Sequence, residues 1–138
     1  MKIQEAVKLV ASKFLYTPDN HKWFDRWRIM KEDSDGKLRG DCEDFSLTAM
    51  WYACDKSLLT FLWKVVITHQ YKLYHCKTYA NERHAIGYAE GLWFDNWTKE
   101  ALPKQEFLGH TKHQIKYWYP IPLMIVPFIV GHITRKKL

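Results

Sequence analysis

Apolar residues recur every three or four positions at the start of the chain. Ile3, Ala6, Val7, Val10, Ala11 and Phe14 share one side of a helix over residues 2–15, with Lys2, Glu5, Lys8 and Lys13 elsewhere. Thr17, Pro18 and Asp19 end it. Over residues 19–30, Trp23 and Trp27 stand four apart with Phe24 beside them, which predicts a short second helix. The polar run from Lys31 to Gly40 predicts a surface loop. Eight of the ten residues from Phe45 to Cys54 are apolar, and a helix apolar on nearly all sides belongs in the centre of a fold. Asp41 is placed to cap its start.

The second half of the chain changes period. A short amphipathic stretch, Ser57 to Trp63, leads to the β-branched run Val65 to Thr68, read as a strand. Gln70 to Asn81 reads as a continuing strand and then a loop. Arg83 to Ala89 and Leu92 to Trp97 read as a hairpin about Glu90 and Gly91. Lys104 to Phe107 form a helical turn, and Ile115 to Tyr119 alternate as a strand. Ile121 to Val130 contains Pro122 and Pro127 and falls well short of the roughly 20 residues a membrane span needs, so a terminal strand is expected. Helices followed by strands predict an α+β fold, a cysteine-bearing central helix and N-terminal helices packed on a largely antiparallel sheet. No linker or repeat divides residues 1–138, which are expected to form a single domain.

Composition adds limits. An apolar fraction of 47% against 26% charged residues excludes a disordered chain. The net charge of +6, with Arg135, Lys136 and Lys137 near the end, suits an acidic partner, although charge of this size speaks first to solubility. Cys42, Cys54 and Cys76 cannot all pair, and no secretory signal opens the chain, so a reducing, cytoplasmic setting is expected.

Cys42 falls in the first turn of the central helix, where unpaired N–H groups and the helix dipole favour a thiolate. If Glu90 and Gly91 alone form the hairpin loop, opposed residues sum to 181. Asp95 then lies opposite Ile86, diagonal to His84 and on the same face, within reach of its imidazole. Cys42, His84 and Asp95 supply the nucleophile, base and orienter of covalent acyl transfer. The Cys42 backbone N–H is the first oxyanion donor, and Asn20, His21, Trp23 and Trp27 are candidates for the second. Asp41, Glu43 and Asp44 cap the helix and complement its dipole, but three carboxylates beside Cys42 oppose its ionisation.

Other residues of chemical interest have plainer readings. His75 with Cys76, and His110 with His113, lack zinc spacing and are expected to be exposed polar residues, and Cys54 is expected in the core. Tyr71, Tyr74 and Tyr79 among Lys72 and Lys77 could stack bases, yet the mixture is ordinary for a strand, and nucleic acid is not expected as a partner.

The runs GDCEDFS from Gly40 to Ser46, HAIGYAEGLWFDN from His84 to Asn96 and YWYPIPL from Tyr117 to Leu123 together resemble the transglutaminase-like cysteine proteinases of bacteria and their phages. The resemblance implies a papain-like transglutaminase core with Cys42 as nucleophile, His84 as general base and acid, and Asp95 as its orienter. It implies a hydrolase acting on peptide or isopeptide bonds of a protein substrate through an acyl-enzyme, in the host cytoplasm if the source is a phage. Resolution of the acyl-enzyme by an amine would make it a transglutaminase. The chemistry requires no cofactor. Some secreted members of the family bind calcium through acidic residues flanking the nucleophile, and Asp41 and Asp44 match those positions. The alternative from another class is a papain-like scaffold serving as a non-catalytic binding protein, engaging an acidic host protein or nucleic acid.

Overall fold

A computed structural model describes residues 1–17 and 29–118 of the chain. Helix α1 (Ile3–Lys13) follows from the predicted stripe, and Ile3, Ala6, Val7 and Val10 are its buried residues. The chain then extends into β1 (Phe14–Tyr16), which pairs in parallel with β2 (Leu38–Gly40). The segment read as a surface loop therefore ends in a strand. A turn at Asp33 sets it up: its carboxylate accepts the N–H groups of Asp35 and Lys37 and holds the Arg39 guanidinium at 2.6 Å.

The central helix is α2 (Cys42–Ala53), in which every residue after Cys42 is buried. It is followed by α3 (Leu58–Leu62), capped by the Ser57 hydroxyl, and a π-helical turn over Trp63–Ile67. Val65 to Ile67 of the β-branched run are thus helical, with Thr68 as the C-cap, and the run is not the expected strand. Phe61 and Val65, four apart, both enter the core, and burial of that helical face overrides a short local β preference.

Four strands make the main sheet, in the order β5-β4-β3-β6. These are β3 (Tyr71–Lys77), β4 (Arg83–Ala89), β5 (Leu92–Phe94) and β6 (Gln114–Trp118), and all their pairings are antiparallel. Helix α4 (Lys104–Thr111) extends the predicted helical turn and precedes β6.

The sheet is covered on both sides. Ala85 and Ala89 of β4, Leu73 and Tyr71 of β3 and Phe94 of β5 join α1 and α2 in the larger core cluster. Cys76, Ile86, Trp93 and Phe107 of α4 make a second cluster, with Tyr74 and Tyr88 packed against it. The observed arrangement is the expected α+β one, with the cysteine helix laid on an antiparallel sheet. No helix among the described residues is long and apolar enough to cross a membrane. The second helix expected over residues 19–30 and the terminal strand over 121–130 lie outside the described residues.

Candidate active site

Cys42 opens α2 because the residues before it stop the chain in an extended shape. Asp41 is the N-cap, with φ −101° and ψ −166°. Its carboxylate accepts the Asp44 N–H at 3.1 Å, while the Asp44 carboxylate accepts the Asp41 N–H at 3.3 Å. This reciprocal box satisfies two helix-end donors that would otherwise be unpaired and buried. Gly40 is required beside it, since a Cβ there would stand 2.7 Å from Met30 Sδ and 2.8 Å from the Asp44 carboxylate.

The hairpin has the expected register. Ala89 faces Leu92, Tyr88 faces Trp93 and Gly87 faces Phe94. Glu90 and Gly91 both have positive φ, 54° and 83°, as a two-residue turn matched to the twist of the strands demands. Asp95 emerges just past β5, and its Oδ2 accepts the His84 Nε2–H at 2.8 Å. The pair derived from the turn is therefore present, and both residues are buried. With Nε2 committed, Nδ1 is the ring nitrogen of His84 left to accept a proton.

A third member was not expected. His113, read from the sequence as an exposed polar residue, is buried, and its Nε2–H also reaches Asp95 Oδ2 at 2.8 Å. His75 and Cys76 are likewise buried rather than exposed, His75 against the Tyr117 ring and Cys76 in the second core cluster. His110 is exposed as expected. The backbone N–H groups of Trp97 and Thr98 donate to Asp95 Oδ1 at 3.0 and 2.8 Å. Burial alone would favour the protonated acid, but hydrogen bonds from His113, His84 and Thr98 prevail and hold Asp95 well below the usual carboxylate range. Trp97 covers the group, its ring centroid 5.3 Å from that of His84 and 4.8 Å from that of His113.

Cys42 stands apart from this cluster. Its thiol donates to Glu43 Oε2 at 3.3 Å. Burial, then the Glu43 and Asp41 carboxylates, push the thiol strongly upward, and only the backbone N–H of Ala85 among the main influences favours the anion. The thiolate expected from the helix dipole is thus outweighed by desolvation and by the acidic neighbours, and the cysteine is a thiol in this structure. Glu43 is itself pushed up to about 8 by burial and by the adjacent Asp41. Ala85 follows His84 on β4, so Cys42 lies beside the strand that carries the histidine, but among the described residues no hydrogen bond joins Cys42 to His84. Asn20, His21, Trp23 and Trp27, the candidates for a second oxyanion donor, lie outside the described residues.

Two groupings have metal-ligand chemistry. His84, Asp95 and His113 offer ligand atoms within 4.8 Å of one another. Their 2.8 Å N···O contacts are hydrogen-bond lengths, whereas ligands about 2 Å from a tetrahedral ion stand about 3.3 Å apart, so a metal would have to spread the cluster. Asp41 and Asp44 have the hard oxygens calcium prefers, but one oxygen of each already serves the helix cap. Among the described residues the pair offers fewer than the six to eight oxygens calcium usually takes.

No family model matches the chain, and no curated protein does. Solved structures of similar shape exist. An EGTA-treated LapG of Legionella pneumophila aligns with a TM-score of 0.53 at 16% identity, covering 85% of this chain and 61% of that one. A second structure of Legionella pneumophila LapG aligns with a TM-score of 0.52 at 18% identity, covering 85% and 65%. A calcium-bound LapG aligns at 0.49 and 20% identity, covering 83% and 62%. The chain thus spans less than two thirds of the LapG chains it matches. The first two likenesses show a shared fold, the papain-like, transglutaminase-type core.

Proposed function

We propose that the chain is a thiol-dependent hydrolase of peptide or isopeptide bonds in a protein substrate, with Cys42 as nucleophile, His84 as general base and acid, and Asp95 as orienter. The observation that carries this reading is the buried His84–Asp95 hydrogen bond, which leaves His84 Nδ1 as the free nitrogen on a strand that Cys42 adjoins. The fold shared with LapG, a bacterial transglutaminase-like cysteine protease, supports it.

The chemistry begins when the Cys42 bond to Glu43 is exchanged for one to His84. His84 Nδ1 takes the thiol proton as Sγ adds to the amide carbonyl carbon. The Cys42 N–H, in the first turn of α2 where N–H groups have no intrahelical partner, would stabilise the developing oxyanion. The C–N bond then breaks as Nδ1–H protonates the departing amine, leaving a thioester on Cys42. A water molecule deprotonated by His84 cleaves that thioester and returns the thiol. An amine in place of water would give acyl transfer.

Calcium at the start of α2 is a further part of the proposal: Asp41 and Asp44 would supply two of its oxygens, the rest coming from outside the pair, and its charge would offset the repulsion among the buried carboxylates. Melting the protein in calcium and in EGTA tests this directly, since a ligand of the folded state raises Tm by mass action.

The proposed chemistry is tested by iodoacetamide labelling of each cysteine across pH, read by peptide mass spectrometry, in the wild type and His84→Ala. Cys42 should label faster than buried Cys54 and Cys76, and His84→Ala should slow it about tenfold or more. Labelling of Cys42 that ignores His84 would overturn the reading in favour of a binding protein.

A further inference from the structure

We infer that His113 is a positioning residue for this reaction: through Asp95 it sets the orientation and proton affinity of the His84 ring. The inference rests on the reading of Cys42, His84 and Asp95 given above. Asp95 Oδ2 receives two imidazole N–H groups, from His84 and His113, each at 2.8 Å, while Oδ1 receives the backbone N–H groups of Trp97 and Thr98. Four donors fill the four lone-pair sites of the carboxylate, so neither oxygen is free to turn.

Among the described residues, His113 Nδ1 is buried and has no hydrogen-bond partner. His113 therefore meets the cluster through Nε2 alone, as an N–H donor that competes with His84 for the Asp95 charge. Asp95 is held as the anion, and His84 Nδ1 is the ring nitrogen that the proposed chemistry uses for the mobile proton.

Its surroundings keep the ring in place. His113 lies between α4 and β6, after Lys112 in the left-handed conformation (φ 58°), and its own N–H donates to the Thr111 hydroxyl at 3.3 Å. Its ring packs at 4.8 Å from Trp97, 4.8 Å from His84 and 5.8 Å from Phe107. Among the described residues, the titratable groups around His84 are Asp95 beyond β5, His113 before β6, Cys76 opposite it on β3, and Cys42 of α2 beside Ala85. Glu82 and Arg83 are exposed at the start of β4. Cys76 is pushed up to about 12 by burial and by Asp95, so it stays a neutral thiol across the working range.

Removing the His113 donor concentrates the Asp95 charge on His84, which then holds its proton to higher pH. The experiment compares the full chain with His113→Leu, which has no donor, and His113→Gln, whose amide N–H can reach the same oxygen. The readout is the pH dependence of Cys42 alkylation, with His84→Ala as control. The acid-side midpoint should move up by about one pH unit in His113→Leu, a tenfold loss of rate below it, and stay within about 0.3 of wild type in His113→Gln. Equal shifts in both variants, or none in either while His84→Ala still slows alkylation, overturn the positioning role alone. If His84→Ala has no effect, the hydrolase reading fails and this inference with it. Should the Leu variant not fold, histidine ring 15N spectra of the wild type decide at pH 7. A neutral Nε2–H form of His113 supports the role, and an Nδ1–H or cationic form ends it.

Discussion

The thiol of Cys42 is governed by its acidic neighbour. Glu43 accepts from Cys42 Sγ at 3.3 Å and is pushed up to about 8 by burial and by Asp41. Below that pH it is mostly protonated and adds little charge beside the sulfur. As pH rises through 8 it becomes an anion, so the gain in thiolate that alkali should bring is opposed. Wild-type Cys42 alkylation should therefore flatten above pH 8, and Glu43→Gln should restore the rise, labelling about five- to tenfold faster at pH 9. Peptide mass spectrometry of iodoacetamide adducts measures this. Stability follows with its own sign. Glu43 keeps a proton in the folded state that the unfolded chain releases near its ordinary value of 4.5, so folding weakens as pH rises from about 4.5 to 8. Asp95 acts oppositely, because its folded value is depressed; its contribution is present above the ordinary 3.8 and lost on acidification below it. Thermal melts from pH 5 to 9 should show a falling Tm in the wild type and a flatter profile in Glu43→Gln.

Elements closed by local turns could be read without the structure, and elements closed by distant contacts could not. A two-residue loop fixes which residues oppose each other, so the Glu90–Gly91 turn was enough to bring His84 and Asp95 onto one face. Asp41 likewise announced the start of α2 through an interaction that reaches three residues. The β1–β2 pair was hidden because its partners are about two dozen residues apart and only three residues long. His113 was missed for a similar reason: β6 joins β3 through a register shift between His75 and Cys76, and no local spacing reports it. The hairpin makes a strong prediction of its own. A Cβ on Gly87 would stand 2.5 Å from the Phe94 ring, which is fully buried one residue before Asp95. Gly87→Ala should cost about 1–3 kcal/mol in denaturant unfolding, and by displacing Phe94 it should also slow the His84-dependent alkylation of Cys42. Asp41→Ala, which removes one half of the α2 capping box, should cost about 1 kcal/mol in the same measurement.

The site is assembled from both sides of the sheet. Cys42 comes from the helix on one face, Asp95 follows the edge strand β5, and His113 follows α4, whose Phe107 packs on the other face with Cys76, Ile86 and Trp93. The two coverings should therefore fail differently at the chemistry even if the molecule unfolds as one unit. Phe107 is fully buried and lies 5.8 Å from the His113 ring, so Phe107→Ala should cost about 3–5 kcal/mol and free His113 to turn away from Asp95. Its surviving folded fraction should then show the raised acid-side midpoint expected of His113→Leu, while the alkaline flattening due to Glu43 persists. Leu59, with 81% of its surface exposed on α3, is the control, since Leu59→Ser should change stability by no more than about 0.5 kcal/mol and leave both limbs alone. If Phe107→Ala lowers stability but moves neither limb, the α4 face is scaffold only. If it moves the alkaline limb instead, the two coverings are coupled through the sheet and Cys42 senses both.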